Sequence, residues 1–105
     1  MDKKAVLRIV GQYADAVKRN LPVEKVVLYG SHARGTARED SDIDVAVVIK
    51  SLSGDYDYLH TATMLFRLTR DIDLRIEPVL LEEENDSSGF LKEVLTRGEL
   101  VYSRS

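Results

Sequence analysis

Two short apolar runs joined by a polar connection constrain the fold of this chain more than any other feature. The first run, Val26 to Tyr29, is β-branched and aromatic, ends at Gly30-Ser31 and is typical of a buried strand. The second run, Asp42 to Ile49, begins with two carboxylates in an Asp-x-Asp pattern. The sequence therefore predicts two successive strands, with a short helical turn that stops near Gly35 between them.

The other segments predict helices that alternate with strands. Apolar residues three and four apart predict a helix from Ala5 to about Leu21, where Pro22 ends it. The same reasoning predicts helices at 56–70 and 90–96, a third strand at 73–81 and a last strand at 99–102. Pro78 predicts that the third strand is an edge strand or ends irregularly. The order indicates an α+β (mixed α/β) fold, in which helices cover one small mixed sheet.

Composition limits the classes of partner. The chain has 105 residues, which suits a single domain over residues 1–105. Its net charge of -3 argues against binding of long nucleic acids, because such surfaces concentrate Lys and Arg. It has no cysteine and no apolar segment long enough for a signal peptide or a membrane span. We therefore expect a cytoplasmic protein that does not bind membranes.

The two carboxylates at the start of the second strand predict a metal site. Residues two apart in a strand point to the same face, so Asp42 and Asp44 project together. Two adjacent carboxylates repel each other unless a cation lies between them, and hard oxygen ligands favour Mg²⁺ or Mn²⁺. Mg²⁺ takes one or two carboxylates together with phosphate oxygens of a substrate. The pattern indicates handling of a metal-bound nucleoside triphosphate, in which two ions are expected.

A third carboxylate is expected on a neighbouring strand. The same period of two places Asp73, Arg75 and Glu77 on one face of the third strand. Glu77 is the preferred third ligand and Asp73 is the alternative. Arg75 is interpreted as a cation on that face, paired with one of these two acids.

The residues after the first strand predict a phosphate site. Gly30 lets the backbone approach a phosphate, because no Cβ stands in the way. Ser31 offers its hydroxyl and its N–H at the start of a short helix, and Arg34 lies one turn further on. His32 is interpreted as a surface or helix-turn residue rather than a metal ligand, and Asp71 as a helix cap.

These motifs resemble the Gly-Ser-x-x-Arg-Gly and Ser-Asp-x-Asp signature of the minimal nucleotidyltransferases, small members of the DNA polymerase β superfamily. Here the motifs read Gly30-Ser31-His32-Ala33-Arg34-Gly35 and Ser41-Asp42-Ile43-Asp44. The resemblance implies a nucleotidyltransferase fold and Mg²⁺ held by Asp42, Asp44 and a third acid. It places nucleoside triphosphate phosphates near Gly30 and Ser31. Many members have aspartate as the third acid, where this chain offers Glu77.

The same resemblance implies a partner and a reaction. Many minimal nucleotidyltransferases are antitoxins that transfer AMP from ATP to a tyrosine of a helical HEPN toxin. The leading hypothesis is therefore a protein adenylyltransferase that acts as the antitoxin of such a pair. The alternative is a non-catalytic antitoxin that neutralises its HEPN partner by binding. A third possibility is transfer to a small molecule, although no acceptor-binding domain is visible in the sequence. Because acceptor recognition would then come from a partner or from a second copy of the chain, a homo-oligomer is also open.

Overall fold

The computed structural model describes residues 2–52 and 57–104 of the chain. Helices and strands alternate along this part as the sequence predicts. In chain order they are α1 (Lys3–Asn20), β1 (Val23–Tyr29), α2 (Ser31–Arg34), β2 (Ile43–Ile49), α3 (Tyr58–Leu68) with a 3₁₀ turn (Thr69–Asp71), β3 (Ile76–Glu82), α4 (Phe90–Arg97) and β4 (Glu99–Ser103).

The four strands form one mixed sheet in the order β3-β2-β1-β4. β1 pairs antiparallel with both β2 and β4, whereas β2 and β3 are parallel. β3 is an edge strand, which confirms the prediction from Pro78. Because β1 and β2 are antiparallel, the end of β1 lies beside the start of β2. The topology therefore brings the Gly-Ser and Asp-x-Asp motifs to the same end of the sheet.

The two faces of the sheet have different covers. α1 and α3 pack on one face and form the main core, which includes Tyr13, Leu28, Val45, Leu65 and Ile76. The Tyr13 hydroxyl donates a hydrogen bond of 2.7 Å to the backbone oxygen of Leu65, which joins the two helices. On the opposite face, Val94 of α4 packs on Val27 and Ala46. Tyr29 and Asp44 belong to this second face.

Carboxylates fix the starts of three helices. Asp2 accepts a hydrogen bond from the Ala5 N–H, and Asp57 accepts one from the His60 N–H. Asp86 accepts from the N–H groups of both Leu91 and Lys92 at the start of α4. The first N–H groups of a helix have no hydrogen-bond acceptor within the helix, and these carboxylates supply one.

Several predicted boundaries need correction. β2 begins at Ile43, so Asp42 lies just before the strand rather than in it. β3 begins at Ile76, so Asp73 and Arg75 precede it and do not share a strand face with Glu77. Asp71 ends the 3₁₀ turn and was wrongly predicted to be a cap. The predicted helix start at Tyr56 lies outside the described residues, and α3 begins at Tyr58.

None of the helices in residues 2–52 and 57–104 combines the length and the hydropathy that a membrane-spanning segment requires.

Gly11 lies inside α1, and a Cβ added to it would meet no atom within 4 Å. Glycine in a helix interior is less favourable than alanine by roughly 0.5–1 kcal/mol, because its backbone loses more conformational freedom on folding. We expect Gly11→Ala to raise the free energy of unfolding by about that amount, measured by urea denaturation. A lower denaturation midpoint would show that the space beside Gly11 is needed by the packing.

Candidate active site

Tyr29, Asp44 and Glu77 form a row across three strands. Asp44 is the register partner of Tyr29 on β1 and of Glu77 on β3. Register partners in a sheet point to the same face, so the three side chains lie on the face that α4 partly covers. The row places one predicted metal ligand, Asp44, at its centre and another, Glu77, at the edge of the sheet.

Gly30 lies directly against Asp44. Its backbone has φ 76° and ψ -153°, a conformation that is essentially restricted to glycine. A Cβ on Gly30 would collide with the Asp44 carboxylate oxygen Oδ2 and would lie 3.1 Å from Cγ. The predicted phosphate and metal sites are therefore neighbours, and only glycine fits between them.

The four residues of α2 shape the other side of Gly30. Gly35 has a left-handed conformation and closes the turn by donating its N–H to the Ser31 oxygen. The Arg34 N–H donates a hydrogen bond of 3.1 Å to the Gly30 oxygen, so Gly30 is tied into the same turn. Arg34 is exposed, and its charge partly opposes the rise in the pKa of Asp44 that burial causes. Cation and carboxylate thus lie close to each other.

The pKa of Asp44 is raised, first by its burial and then by the negative charge of Asp42. The charges of His32 and Arg34 oppose this shift. Tyr29 shows the same accumulation of negative charge, since its pKa is raised by burial and then by Asp44 and Glu77. A cation bound by Asp42 and Asp44 would relieve the repulsion between them, so the donor set fits a hard divalent ion.

The predicted third metal ligand, Glu77, is not clustered with the two aspartates. No group of three His, Cys, Asp or Glu residues close enough to hold a metal occurs in residues 2–52 and 57–104. Glu77 is exposed and lines a separate groove beside α3, together with Phe66 and Arg70. Glu77 is therefore aligned with Asp44 in the sheet, but it does not form a compact cluster with the two aspartates.

Asp73 is engaged by Arg75. The Arg75 Nε donates to Oδ1 at 3.0 Å and Nη2 donates to Oδ2 at 2.6 Å. These bonds lower the pKa of Asp73. The interpretation of Arg75 as an ion-paired cation is confirmed, although the pair lies in the turn before β3. Because both carboxylate oxygens of Asp73 already accept hydrogen bonds, Asp73 is a poor alternative to Glu77.

His32 is buried, with 5% of its surface exposed, so its prediction as a surface residue was wrong. It does lie in a helical turn, as predicted, and its Nε2 is 3.4 Å from the Ser41 backbone oxygen. This contact joins α2 to the loop that carries Asp42. His32 thus links the two predicted motifs.

A cleft of about 650 Å³ opens beside Gly30. Four predicted residues line it, namely Gly30, Ser31, Arg34 and Asp44, whereas Asp42 and Glu77 are not among its lining residues. Sequence reasoning missed the other lining residues, which are Tyr29 and, from α4, Phe90, Glu93, Val94 and Arg97. The spacing of the α4 residues by three and four predicts that they share one face of a helix. Nothing in the sequence predicts which part of the sheet that face meets.

Comparison with known proteins agrees with this geometry. The family model described as "Polymerase beta, Nucleotidyltransferase" matches residues 12–105. A protein of Methanocaldococcus jannaschii named as a protein adenylyltransferase is 27% identical over 101 residues, which cover 90% of this chain and 96% of the relative.

Solved structures share the fold. A protein from Sulfolobus solfataricus described as a nucleotidyltransferase superposes with a TM-score of 0.70 at 23% identity, over 97% of this chain and 84% of that one. A toxin-antitoxin structure with AMP-PNP gives a TM-score of 0.63 at 21% identity, over 90% of this chain and 74% of that one. The predicted nucleotidyltransferase fold is confirmed.

Proposed function

We propose, from the premise that this chain belongs to the polymerase beta nucleotidyltransferase family, that it transfers AMP from ATP to a tyrosine hydroxyl of a partner protein. The chain is a nucleotidyltransferase, and the finer proposal concerns its nucleotide, its acceptor and its partner. The partner that we propose is a HEPN toxin, for which this chain acts as the antitoxin.

One observation carries the proposal: Gly30 and Asp44 are in contact and line the same cleft as Ser31 and Arg34. A triphosphate bound along Gly30 and Ser31 would bring its phosphorus atoms next to the Asp44 carboxylate. Arg34 adds a cation that complements the phosphate charge. Such a site binds a nucleotide by its phosphates and places the reacting phosphorus beside a carboxylate.

The proposed reaction is an in-line displacement. The tyrosine oxygen attacks the α-phosphorus of ATP and forms a new O–P bond. The bond between the α-phosphorus and the oxygen that bridges to the β-phosphate breaks, and pyrophosphate leaves. The phenolic proton passes to a carboxylate, for which Glu77 is the candidate because it lies on the same face as Asp44 at the open edge of the sheet.

Asp42, Asp44 and Glu77 are the residues that would hold Mg²⁺. A divalent ion bound there supplies positive charge to the phosphate oxygens and lowers the pKa of a coordinated hydroxyl. The chain itself contributes the alignment of the carboxylates by β2 and β3 and the close approach of Gly30. Burial of Asp44 strengthens its interaction with any bound cation, because less water screens the charge.

The relatives support a protein as the acceptor and a toxin as the partner. The similar M. jannaschii protein is named as a protein adenylyltransferase, and the structural neighbour described above is a toxin-antitoxin assembly with AMP-PNP. A protein acceptor also suits the groove beside Glu77, which is open to the surface at the sheet edge.

Transfer is tested with ATP labelled at either end. The protein is incubated with Mg²⁺ and the product of the neighbouring gene, using ATP labelled at the α-phosphate or at the γ-phosphate. We expect the partner to retain the α label and not the γ label, and mass spectrometry to place AMP on a tyrosine. Absence of label on both proteins, under conditions where ATP binds, would contradict the proposal.

Substitutions of Glu77 and Asp73 are expected to have different effects on the rate of transfer. We expect Glu77→Gln to lower the transfer rate by about 10²-fold, because it removes a candidate proton acceptor and metal ligand. Asp73→Asn should leave transfer near the wild-type rate and lower the free energy of unfolding by about 0.5–1 kcal/mol, because it removes only the ion pair with Arg75. Steady-state transfer assays and urea denaturation measure both effects. A large loss of transfer in Asp73→Asn would instead indicate that Asp73, and not Glu77, is the third carboxylate of the site.

A further inference from the structure

We propose that α4 forms the nucleoside-binding wall of the cleft, where the partly exposed ring of Phe90 contacts the flat ring of the nucleobase. This inference rests on the proposed function, because both require a nucleotide in the cleft. It assigns a role to a helix that carries none of the signature motifs. It also assigns the chemical class of the ligand at this wall, a heterocyclic base.

The size and the lining of the cleft carry the first step. A volume of about 650 Å³ is within the range that whole small-molecule ligands occupy, and a triphosphate alone would leave much of it empty. The polar residues that suit phosphates, Gly30, Ser31 and Arg34, come from the end of β1 and from α2. The remaining lining from α4 includes the apolar side chains of Phe90 and Val94. A nucleotide matches this division, because it has phosphates at one end and, at the other, a base with apolar faces and polar edges.

The Phe90 ring is held in a defined orientation. Its centroid is 5.7 Å from that of Tyr29, with the two rings at 84° in an edge-to-face contact. Phe90 is nevertheless 38% exposed, so part of the ring remains available to a ligand. Edge-to-face pairs are a favourable arrangement of aromatic rings, and a base packed against an aromatic ring is also favourable.

α4 is fixed at both ends, so the wall is preformed. Asp86 caps its first turn with both carboxylate oxygens. At its other end, a Cβ on Gly98 would lie only 2.6 Å from Val27 Cγ1 and 2.9 Å from the Leu28 oxygen, so the chain passes very close to β1. A helix that is fixed at both ends needs little further ordering when a base binds to it.

Polar groups lie on the same face of the helix. Glu93 and Arg97 form an ion pair of 3.0 Å, and both line the cleft. A carboxylate accepts hydrogen bonds from the amino groups of a base, and a guanidinium donates to its ring nitrogens or carbonyl oxygens. The pair therefore provides both kinds of contact to the edge of a base that packs on Phe90.

Binding of ATP and of inorganic tripolyphosphate separates the two ends of the cleft. With Mg²⁺ present and calorimetry as the measurement, we expect Phe90→Ala to weaken ATP binding by about 5- to 30-fold and to leave tripolyphosphate binding unchanged. Leu95→Ala is the matched control, because Leu95 is on the same helix, is 42% exposed and does not line the cleft. It should change neither affinity.

Phe90→Leu keeps the inference testable if Phe90→Ala does not fold, since leucine preserves apolar packing and removes the flat ring. An equal loss of ATP and tripolyphosphate affinity in folded variants, or no loss of either, would overturn the nucleoside wall. In both cases transfer of the α label to the partner would still support the proposed function. If the wild-type protein bound neither compound, the proposed function itself would be contradicted.

Discussion

Asp44→Asn is expected to lower AMP transfer by at least about 10³-fold while the protein remains folded. Asp44 is the carboxylate at the centre of the row on the sheet, and it touches the space around Gly30 where a triphosphate would lie. Asparagine is nearly the same size but lacks the charge that attracts a divalent ion. Transfer of α label to the partner measures the loss.

Folding should not account for this loss. The pKa of Asp44 is raised by burial and by Asp42, so its charged form is less favourable in the folded protein than in the unfolded chain. Neutralisation by asparagine should therefore leave the melting temperature unchanged or raise it. Asp40→Asn is the matched control, because Asp40 is exposed in the loop before β2 and has no proposed ligand role. It should retain normal transfer.

The alternative antitoxin mechanism gives a different result in cells. If this chain acts by transfer, a double variant with Asp42→Asn and Asp44→Asn should fail to neutralise its partner, even where the two proteins still bind. Full neutralisation by the double variant would contradict catalysis and favour a binding antitoxin. Co-purification of the two proteins shows whether binding is intact and separates these outcomes.

The order of helices and strands was predictable because it depends on periodicity within each segment. Apolar residues at spacings of three and four, or in short β-branched runs, decide which face of an element can be buried. The close position of Gly30 and Asp44 was also foreseeable, since a short connection between successive strands brings their adjoining ends together. The antiparallel pairing of β1 and β2 provides that arrangement.

Element boundaries were less predictable where side chains bond the local backbone. Asp73 accepts a hydrogen bond from the Arg75 N–H at 2.9 Å, a contact that favours a turn over an extended strand. β3 therefore starts at Ile76, and the shared face predicted for Asp73 and Glu77 is lost. The alternation of side chains along a predicted strand does not show whether such a local hydrogen bond will form.

The position of α4 on the sheet could not be predicted from the sequence. Its apolar spacing predicts a buried face, but an amphipathic helix at this position could cover either side of the sheet. Packing of Val94 on Val27 and Ala46 places it on the face that carries Asp44. α4 covers this face because α1 and α3 occupy the other one, so its position depends on elements that are distant in the sequence.

Gly30→Ala is expected to impair both stability and transfer, and Gly35→Ala to impair neither severely. Gly35 is in the left-handed helical region with open space around it, so alanine there should cost about 1 kcal/mol. Gly30 combines a backbone conformation essentially restricted to glycine with contact to Asp44, so alanine there should cost at least about 2–3 kcal/mol. Urea denaturation of both variants measures the difference.

A double-mutant cycle separates the two causes at Gly30. Asp44→Ala removes the carboxylate that a Cβ on Gly30 would meet, but it does not change the backbone conformation of residue 30. If the collision matters, Gly30→Ala should cost less stability in the Asp44→Ala background than in the wild type, by roughly 1 kcal/mol or more. Equal costs in the two backgrounds would show that backbone strain alone requires glycine. The proposed phosphate and metal sites would then be neighbours without being sterically coupled.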